Sequence, residues 1–433
     1  MTRKTYASKK RPSPNPRMAD EAPMRLKHLR ITGMRTLADV KLDLNGLTVL
    51  IGDNGSGKSS ILEACEILRR AATAPDFSVE FGEIHGGISE IRRSGQPAVQ
   101  LLAALSNGRQ YAEYQIVLGA GGILGEVLRY GGTNLSTSKA VYLDGDGDGA
   151  SVFDEKEGTV RRTKNNRART FLASESGMPH QSVFRAVARV LGEIEVHLPF
   201  DVTARWIARE ARRPAPMRES RIVEPAARLS RLGENLANSY AWLKDRPGDH
   251  WAMTMDWVRL GLGFEIESVM TEAQPGGGAI ALSLRYKSGK VIPAYALSDG
   301  MLAYLAFVAV FRSNGGDGLL AFDEPESHLH PGLLARVVDF MESEAERRPV
   351  LVATQSDALV DHLQDPAAAV VLCELDEKGA TQLVRPDRAA LARWLDRYRG
   401  LGDIRAAGHQ RSVMQDTPLP KLHLRSGGRR RKG

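Results

Sequence analysis

One segment restricts the folds open to this 433-residue chain more than any other. Leu47-Thr-Val-Leu-Ile51 is a continuous apolar run, and Gly52-Asp53-Asn54-Gly55-Ser56-Gly57-Lys58-Ser59 follows it at once. A short apolar run without alternation marks a strand covered on both faces, as in a parallel sheet with helices above and below. The octapeptide fits G-x-x-x-x-G-K-[ST]. Backbone N–H groups from Gly55 to Ser59 can wrap a phosphate at a helix N-terminus, where the helix dipole favours an anion. Glycine is needed because a Cβ would block that approach. Lys58 then reaches the β- and γ-phosphates and the Ser59 hydroxyl binds Mg²⁺, with Gly52, Asn54, Ser56, Gly57 and Ser60 completing the loop. A helix is expected from Ser59 to about Ala72, with Ile61, Leu62, Cys65 and Leu68 on one face.

A second strand ends in matching acids, Leu319-Leu320-Ala321-Phe322-Asp323-Glu324-Pro325. Beside a phosphate loop, Asp323 would hold Mg²⁺ through water and Glu324 would orient and activate the attacking water. Pro325 favours an extended conformation at Glu324 and ends the strand. A third piece, Leu297-Ser298-Asp299-Gly300, opens an apolar helix over 299–312, with Ser298 as its N-cap.

The remaining pattern is α/β. Half-buried strands are expected at 26–31 and 40–44, strands near 99–104, 111–118 and 126–130, and a mainly helical stretch over 171–260 broken by an Arg/Pro-rich segment at 205–221. Strands resume at 264–270, 280–286 and 290–294. Thereafter helices (299–312, 332–347, 357–363) alternate with strands (319–322, 350–353, 369–375), which argues for right-handed crossovers and a mostly parallel sheet. The expected division is a basic tail (1–23), an N-terminal lobe with the glycine loop (24–75), a β-rich lobe (76–170), a helical insert (171–262), a C-terminal lobe (263–404) and a second basic tail (405–433).

The net charge of +7 is unevenly spread: residues 1–20 carry +5 and residues 411–433 carry +6, leaving −4 on the body between them. Such tails suit a polyanion such as DNA, or serve solubility as solvated segments. The N-terminal tail also reads as a misassigned start, since Met24 stands just before the first strand. Arg205, Arg209, Arg212, Arg213, Arg218 and Arg221 form a second basic stretch, either DNA-facing or a solvated helix and loop. Cys65 and Cys373 are too few for a disulfide framework and read as core residues in a reducing compartment. The longest apolar run, Met301–Phe311, is too short to span a bilayer, and the first residues hold no apolar signal core. A cytoplasmic protein without a membrane partner is expected.

Taken together, the three pieces resemble the ATP-binding cassette heads of the RecF/SMC class. The nearer likeness is to the stand-alone AAA-family ATPases of OLD-like and Septu-type bacterial defence and repair proteins, which combine "NGSGKS", "LSDG" and "DEPE…LHP" as this chain does at 54–59, 297–300 and 323–331. The resemblance implies a P-loop NTPase of the ABC/RecF-SMC head type: a mostly parallel core sheet, an antiparallel β lobe and an inserted, mainly helical arm. It implies ATP and Mg²⁺ as cofactors and an ATP-dependent homodimer, or heterodimer with a second head. There Leu297, Ser298, Asp299 and Gly300 of one subunit close over the nucleotide on the P-loop of the other. DNA and a separate nuclease or effector subunit are the implied partners. The opening "LKHLRITGMRTLADVKLDL" also resembles the family's first strand pair, and by that likeness Arg35 approaches the phosphates; otherwise it is an exposed turn arginine.

Departures from the family are instructive. The switch position, often His, is Gln355 in Thr354-Gln355-Ser356-Asp357; an amide can donate to a γ-phosphate but carries no charge. No Q-loop glutamine is placed, Gln96 and Gln100 being weak candidates, and no appended Toprim nuclease is expected. Transporter ATPases share the motifs, but their signature lies much closer to the P-loop than the 240 positions separating Lys58 from Ser298. Two metal patterns are declined. Asp144–Glu155 satisfies an EF-hand spacing, but strand-like flanks favour a β-hairpin. Glu326, His328 and His330 follow the Asp-Glu pair as a dimer-communication loop rather than as ligands.

Overall fold

A computed structural model describes residues 23–132, 140–146, 148–164, 169–203, 216–273, 278–313, 315–395 and 400–414. A hairpin of β1 (Arg25–Met34) and β2 (Leu37–Asp43) precedes β3 (Leu47–Gly52), the glycine loop and α1 (Lys58–Thr73). Helices α2 (Phe77–His85) and α3 (Ile88–Ile91) lead to β4 (Val99–Ser106), β5 (Gln110–Gly119), β6 (Gly122–Gly132), β7 (Ala140–Asp146), β8 (Gly149–Asp154) and β9 (Thr159–Lys164). Then come α4 (Phe171–Ser176), α5 (Ser182–Gly192), β10 (Glu195–His197), β11 (Arg221–Ile222), α6 (Leu236–Lys244) and α7 (His250–Leu262). Strands β12 (Ile266–Ala273), β13 (Ala279–Tyr286) and β14 (Val291–Pro293) precede α8 (Asp299–Arg312), β15 (Leu320–Asp323), α9 (Pro331–Arg347), β16 (Val350–Thr354), α10 (Asp357–Asp361), β17 (Val370–Leu375) and β18 (Thr381–Val384).

The six-stranded sheet runs β10-β15-β16-β3-β17-β18, parallel throughout except for the edge pair β17–β18. Side chains alternate across a strand, and here both faces are buried. Leu50, Ala321, Leu351, Ala353, Val371 and Cys373 join a core shared with α1 and the β lobe. Val49, Ile51, Leu320, Phe322, Val350, Val352, Val370 and Leu372 join a second core beneath α8 and α9. The apolar run at 47–51 is thus buried on both sides, as its composition requires.

An eight-stranded antiparallel sheet, β2-β1-β4-β5-β6-β7-β8-β9, closes over α1. More of α1 is covered than the single face expected: Ala64, Glu66, Ile67 and Ala71 are buried along with Ile61, Leu62, Cys65 and Leu68. A third sheet, β11-β13-β12 with β14 on β13, stands before the α8 segment. The Asp144–Glu155 stretch pairs as the expected hairpin, β7 against β8. Strand β10 went unforeseen, because three residues, Glu195-Val196-His197, are too few to show a period.

Candidate functional site

The loop between β3 and α1 holds its shape through glycine geometry. Gly55 and Gly57 have φ of 79° and 99°, where a Cβ is disfavoured. A Cβ on Gly57 would also strike the Thr381, Thr36 and Leu37 side chains, whereas the space at Gly55 is open. Thr381 Oγ1 donates to the Ser56 carbonyl at 2.9 Å and lies 2.9 Å from Thr36 Oγ1, tying the β1–β2 turn and β18 to the loop. Neither threonine was identified from the sequence, since an isolated Thr in a turn or edge strand carries no spacing signal.

Lys58 is buried and turned back over its own loop, its Nζ donating to the carbonyls of Gly52 (2.8 Å) and Asp53 (2.9 Å). Desolvation pulls its ammonium below the usual lysine range, partly opposed by Cys373, Asp323 and Glu324. Ser59 and Asn54 are exposed, while Ser56 and Ser60 are buried. The Ser59 hydroxyl donates to Asp323 Oδ1 at 3.2 Å, joining residues 264 positions apart. Burial raises the Asp323 carboxyl, with the Ser59 bond opposing. An open Gly55 cradle, a lysine held at the loop and a hydroxyl paired with a carboxylate fit a triphosphate with a hard, oxygen-loving cation. A cavity of about 370 Å³ adjoins the loop between Gly52, Asn54, Ser56, Cys373, Arg405 and Gln410.

Strand β16 lies between β15 and β3, so its end stands between the two acids and the loop. There Gln355 Nε2 donates to Glu324 Oε1, and Thr354 Oγ1 donates to Glu326 Oε1 at 2.6 Å. Glu324 has φ of 43°, a left-handed conformation rather than the extended one that Pro325 was expected to impose. Its N–H still donates to the Ala353 carbonyl at 2.8 Å, which holds the turn. Glu326 is engaged with Thr354, and the His330 ring accepts from Gly332 N–H at the start of α9; among the described residues no metal-holding cluster forms.

Ser298 caps α8, its Oγ accepting from Met301 N–H at 3.3 Å, and the residue is exposed. A Cβ on Gly300 would come within 3.0 Å of the His328 carbonyl, so the 297–300 segment and the 326–331 loop of one chain pack together. Arg218 corrects the basic-patch expectation. Its side chain is 3% exposed, and it donates to the carbonyls of Val202 (3.0 Å) and Leu297 (2.6 Å) while pairing with Asp299. It is a support of the signature segment, not part of a DNA-facing surface. Arg205, Arg209, Arg212 and Arg213 lie outside the described residues, as do 1–22 and 415–433. Of the tail expected from 405, the residues to 414 are folded: Arg405 Nε donates to Asp357 Oδ1 at 2.6 Å and Val413 is buried. Arg35, at φ of 44°, pairs with Glu63. Cys65 and Cys373 are buried, and burial pushes both thiols up to about 12. No helix among the described residues is long and apolar enough to cross a membrane.

The fold is that of a P-loop ATPase head of the RecF/SMC type. A model of the AAA domain described as putative AbiEii toxin, type IV toxin–antitoxin system, matches residues 47–361, and the chain belongs to that family. A 104-residue stretch is 38% identical to the chromosome partition protein Smc of Desulfitobacterium hafniense (strain Y51), covering 23% of this chain and 9% of that protein. Among solved structures, the SMC head bound to the C-winged helix domain of ScpA aligns with a TM-score of 0.50 at 13% identity, over 83% of this chain and 97% of that one. An SMC head with an extended coiled coil, bound to the C-terminal domain of ScpA derived from Pyrococcus furiosus, aligns with a TM-score of 0.49 at 13% identity over 86% and 99%. The antiparallel lobe and mostly parallel core expected from the sequence are those of this fold.

Proposed function

We propose that the chain binds and hydrolyses ATP at the loop of residues 52–60, dimerises when ATP is bound, and acts on DNA in repair or in defence against foreign DNA. The observation that carries the reading is the Ser59–Asp323 hydrogen bond with Glu324 directly after it, on a strand two places from the glycine loop. Gly52, Asn54, Gly55, Ser56, Gly57, Lys58, Ser59 and Ser60 would hold the phosphates, and Ser59 with Asp323 would hold Mg²⁺, whose charge offsets that of the phosphates. Glu324 is the base for water and Gln355 the γ-phosphate sensor. Arg35 would have to leave Glu63 to reach phosphate.

Ser298 is exposed at a helix start whose positive end suits a γ-phosphate. Its neighbours Leu297 and Asp299 are held by Arg218, and no hydrogen bond among the described residues joins this segment to the glycine loop of the same chain. A second head is therefore the natural source of the nucleotide it meets. The Gln355–Glu324 bond favours a slower variant of this reading, an ATP-gated clamp for DNA or a partner that controls a separate nuclease or effector. A base engaged by the sensor amide is not free for water until Gln355 moves. Lys58→Ala is expected to abolish ATP turnover without unfolding the head, because its ammonium meets loop carbonyls rather than core. Retained turnover in the purified variant would sink the assignment.

A further inference from the structure

A second charged cavity, of about 310 Å³, lies at the far end of α1 from the glycine loop. Its walls are Glu66, Arg69 and Arg70 on α1, Glu195 to His197 on β10, and Arg228 and Arg231 on the segment after β11. The charges are not all used within the protein. Arg69 Nε bonds Glu66 at 2.8 Å and Arg70 Nε bonds it at 2.9 Å; Arg348 bonds Glu195 at 2.8 Å. Both buried carboxylates are thereby satisfied without Arg228 and Arg231. These two reach them only at 3.9 Å, and Arg231 Nε is buried with no hydrogen-bond partner among the described residues. His197 is buried, and among the described residues neither ring nitrogen has a partner within hydrogen-bond distance, Nε2 facing Glu195 Oε2 at 3.8 Å.

Buried polar groups are rarely left unpaired, so underused guanidinium donors and an unbonded imidazole around one cavity call for an acceptor-rich occupant. Arg69 and Arg70 are taken up by Glu66 and Glu80, which leaves Arg228 and Arg231 as the two lining arginines without a carboxylate in hydrogen-bond range; these select an anion, and the planar guanidinium fork matches phosphate oxygens. The volume is at the small end of ligand pockets, the size of a phosphate or diphosphate group with little attached. We infer that this cavity binds a small phosphate-bearing anion, a second ligand site separate from the ATP loop. Its walls also touch both halves of the nucleotide site. Arg69 and Arg70 stand on the helix that starts at Lys58, and His197 pairs in register with Phe322, stacks on it at 5.5 Å, and so lies beside the residue preceding Asp323. An occupant here bears on the helix and strand that carry Ser59 and Asp323.

Pyrophosphate binding to full-length Lys58→Ala protein, followed by calorimetry, tests the site with the ATP loop disabled. Binding is expected there, and adding Arg228→Gln and Arg231→Gln should weaken it at least ten-fold with the unfolding transition unmoved. Should that variant not fold, Lys58→Ala/His197→Phe, which keeps the stacked ring and loses the imidazole nitrogens, should show the same direction of loss. No binding to Lys58→Ala, or equal affinity in the arginine variant, overturns the inference. A single-stranded DNA oligonucleotide forms the second arm: arginine-dependent binding of DNA but not of pyrophosphate would overturn the small-anion assignment in favour of a backbone contact. Failure of this site leaves the ATP reading intact, because Lys58 is absent from every arm.

Discussion

Glu126 is the most deeply embedded carboxyl group of the β lobe. Its oxygens accept from Tyr114 OH at 2.8 Å and from the N–H groups of Phe171 (2.7 Å) and Leu172 (3.2 Å), anchoring the start of α4 to β5 and β6. Burial nonetheless raises its carboxyl from 4.5 to about 6, the three hydrogen bonds opposing. With the folded pKa above the unfolded one, the associated stability is complete below the unfolded value and is lost as pH rises through about 6. The loss from this group between pH 5 and pH 8 is about 1 kcal/mol. Urea unfolding at the two pH values should show that slope in the wild type and not in Glu126→Gln; equal slopes would contradict the assignment. Nothing in the sequence marked Glu126, since its partners lie 12 and 45 or more positions away. By contrast, Lys58, Ser59, Asp323 and Glu324 stood out in the sequence by motif, and the fold brings Ser59 and Asp323 within hydrogen-bond distance. The left-handed Glu324 was not legible, because the constraint comes from the Ala353 carbonyl and Gln355 on another strand.

At the scale of elements, α8 depends on a residue that its own sequence does not contain. Ser298 supplies the cap, but Arg218 gathers the Leu297 carbonyl and the Asp299 carboxylate in front of it. A guanidinium provides several donors in a fixed fork, so a shorter side chain leaves the Leu297 carbonyl unpaired. Arg218→Ala is expected to destabilise the protein by about 2 kcal/mol. It should leave ATP binding by the monomer near normal and abolish ATP-driven association. Nucleotide binding read alongside light scattering separates the two effects, and Arg218→Lys should recover only part of the association. Dimerisation unaffected by Arg218→Ala would show that the segment holds its shape without the arginine. In the sequence Arg218 is one of six basic residues in a row of similar ones; only the fold reveals that its charge is turned inward. Helix α1 teaches the same lesson. Its period identified one buried face, while Ala64, Ile67 and Ala71 are buried too, in a core that takes in the β lobe, α4 and α5.

For the whole molecule, charge and assembly carry the functional claim. The body is slightly acidic and the excess of positive charge sits at the two ends of the chain. If those ends bind DNA, removing residues 1–22 and 415–433 should weaken binding and flatten its dependence on salt. The log–log slope should fall by about 0.9 for each duplex phosphate that the ends no longer neutralise. An unchanged slope would place the DNA-binding surface elsewhere on the protein.

In the proposed assembly, two heads trap ATP between the loop of one and Ser298 of the other. Glu324→Gln keeps the size of the side chain and loses the carboxylate, so it should bind ATP, hydrolyse it slowly and accumulate as a dimer. Adding Ser298→Arg places bulk and charge where the γ-phosphate would sit, and should return that dimer to monomers that still bind ATP. Sedimentation of both variants with Mg-ATP, with and without DNA, is the decisive measurement. An ATP-dependent dimer is expected for Glu324→Gln and monomers for the double variant. A Glu324→Gln protein that stays monomeric at saturating ATP, in either condition, would contradict the two-headed site for this chain acting as a homodimer.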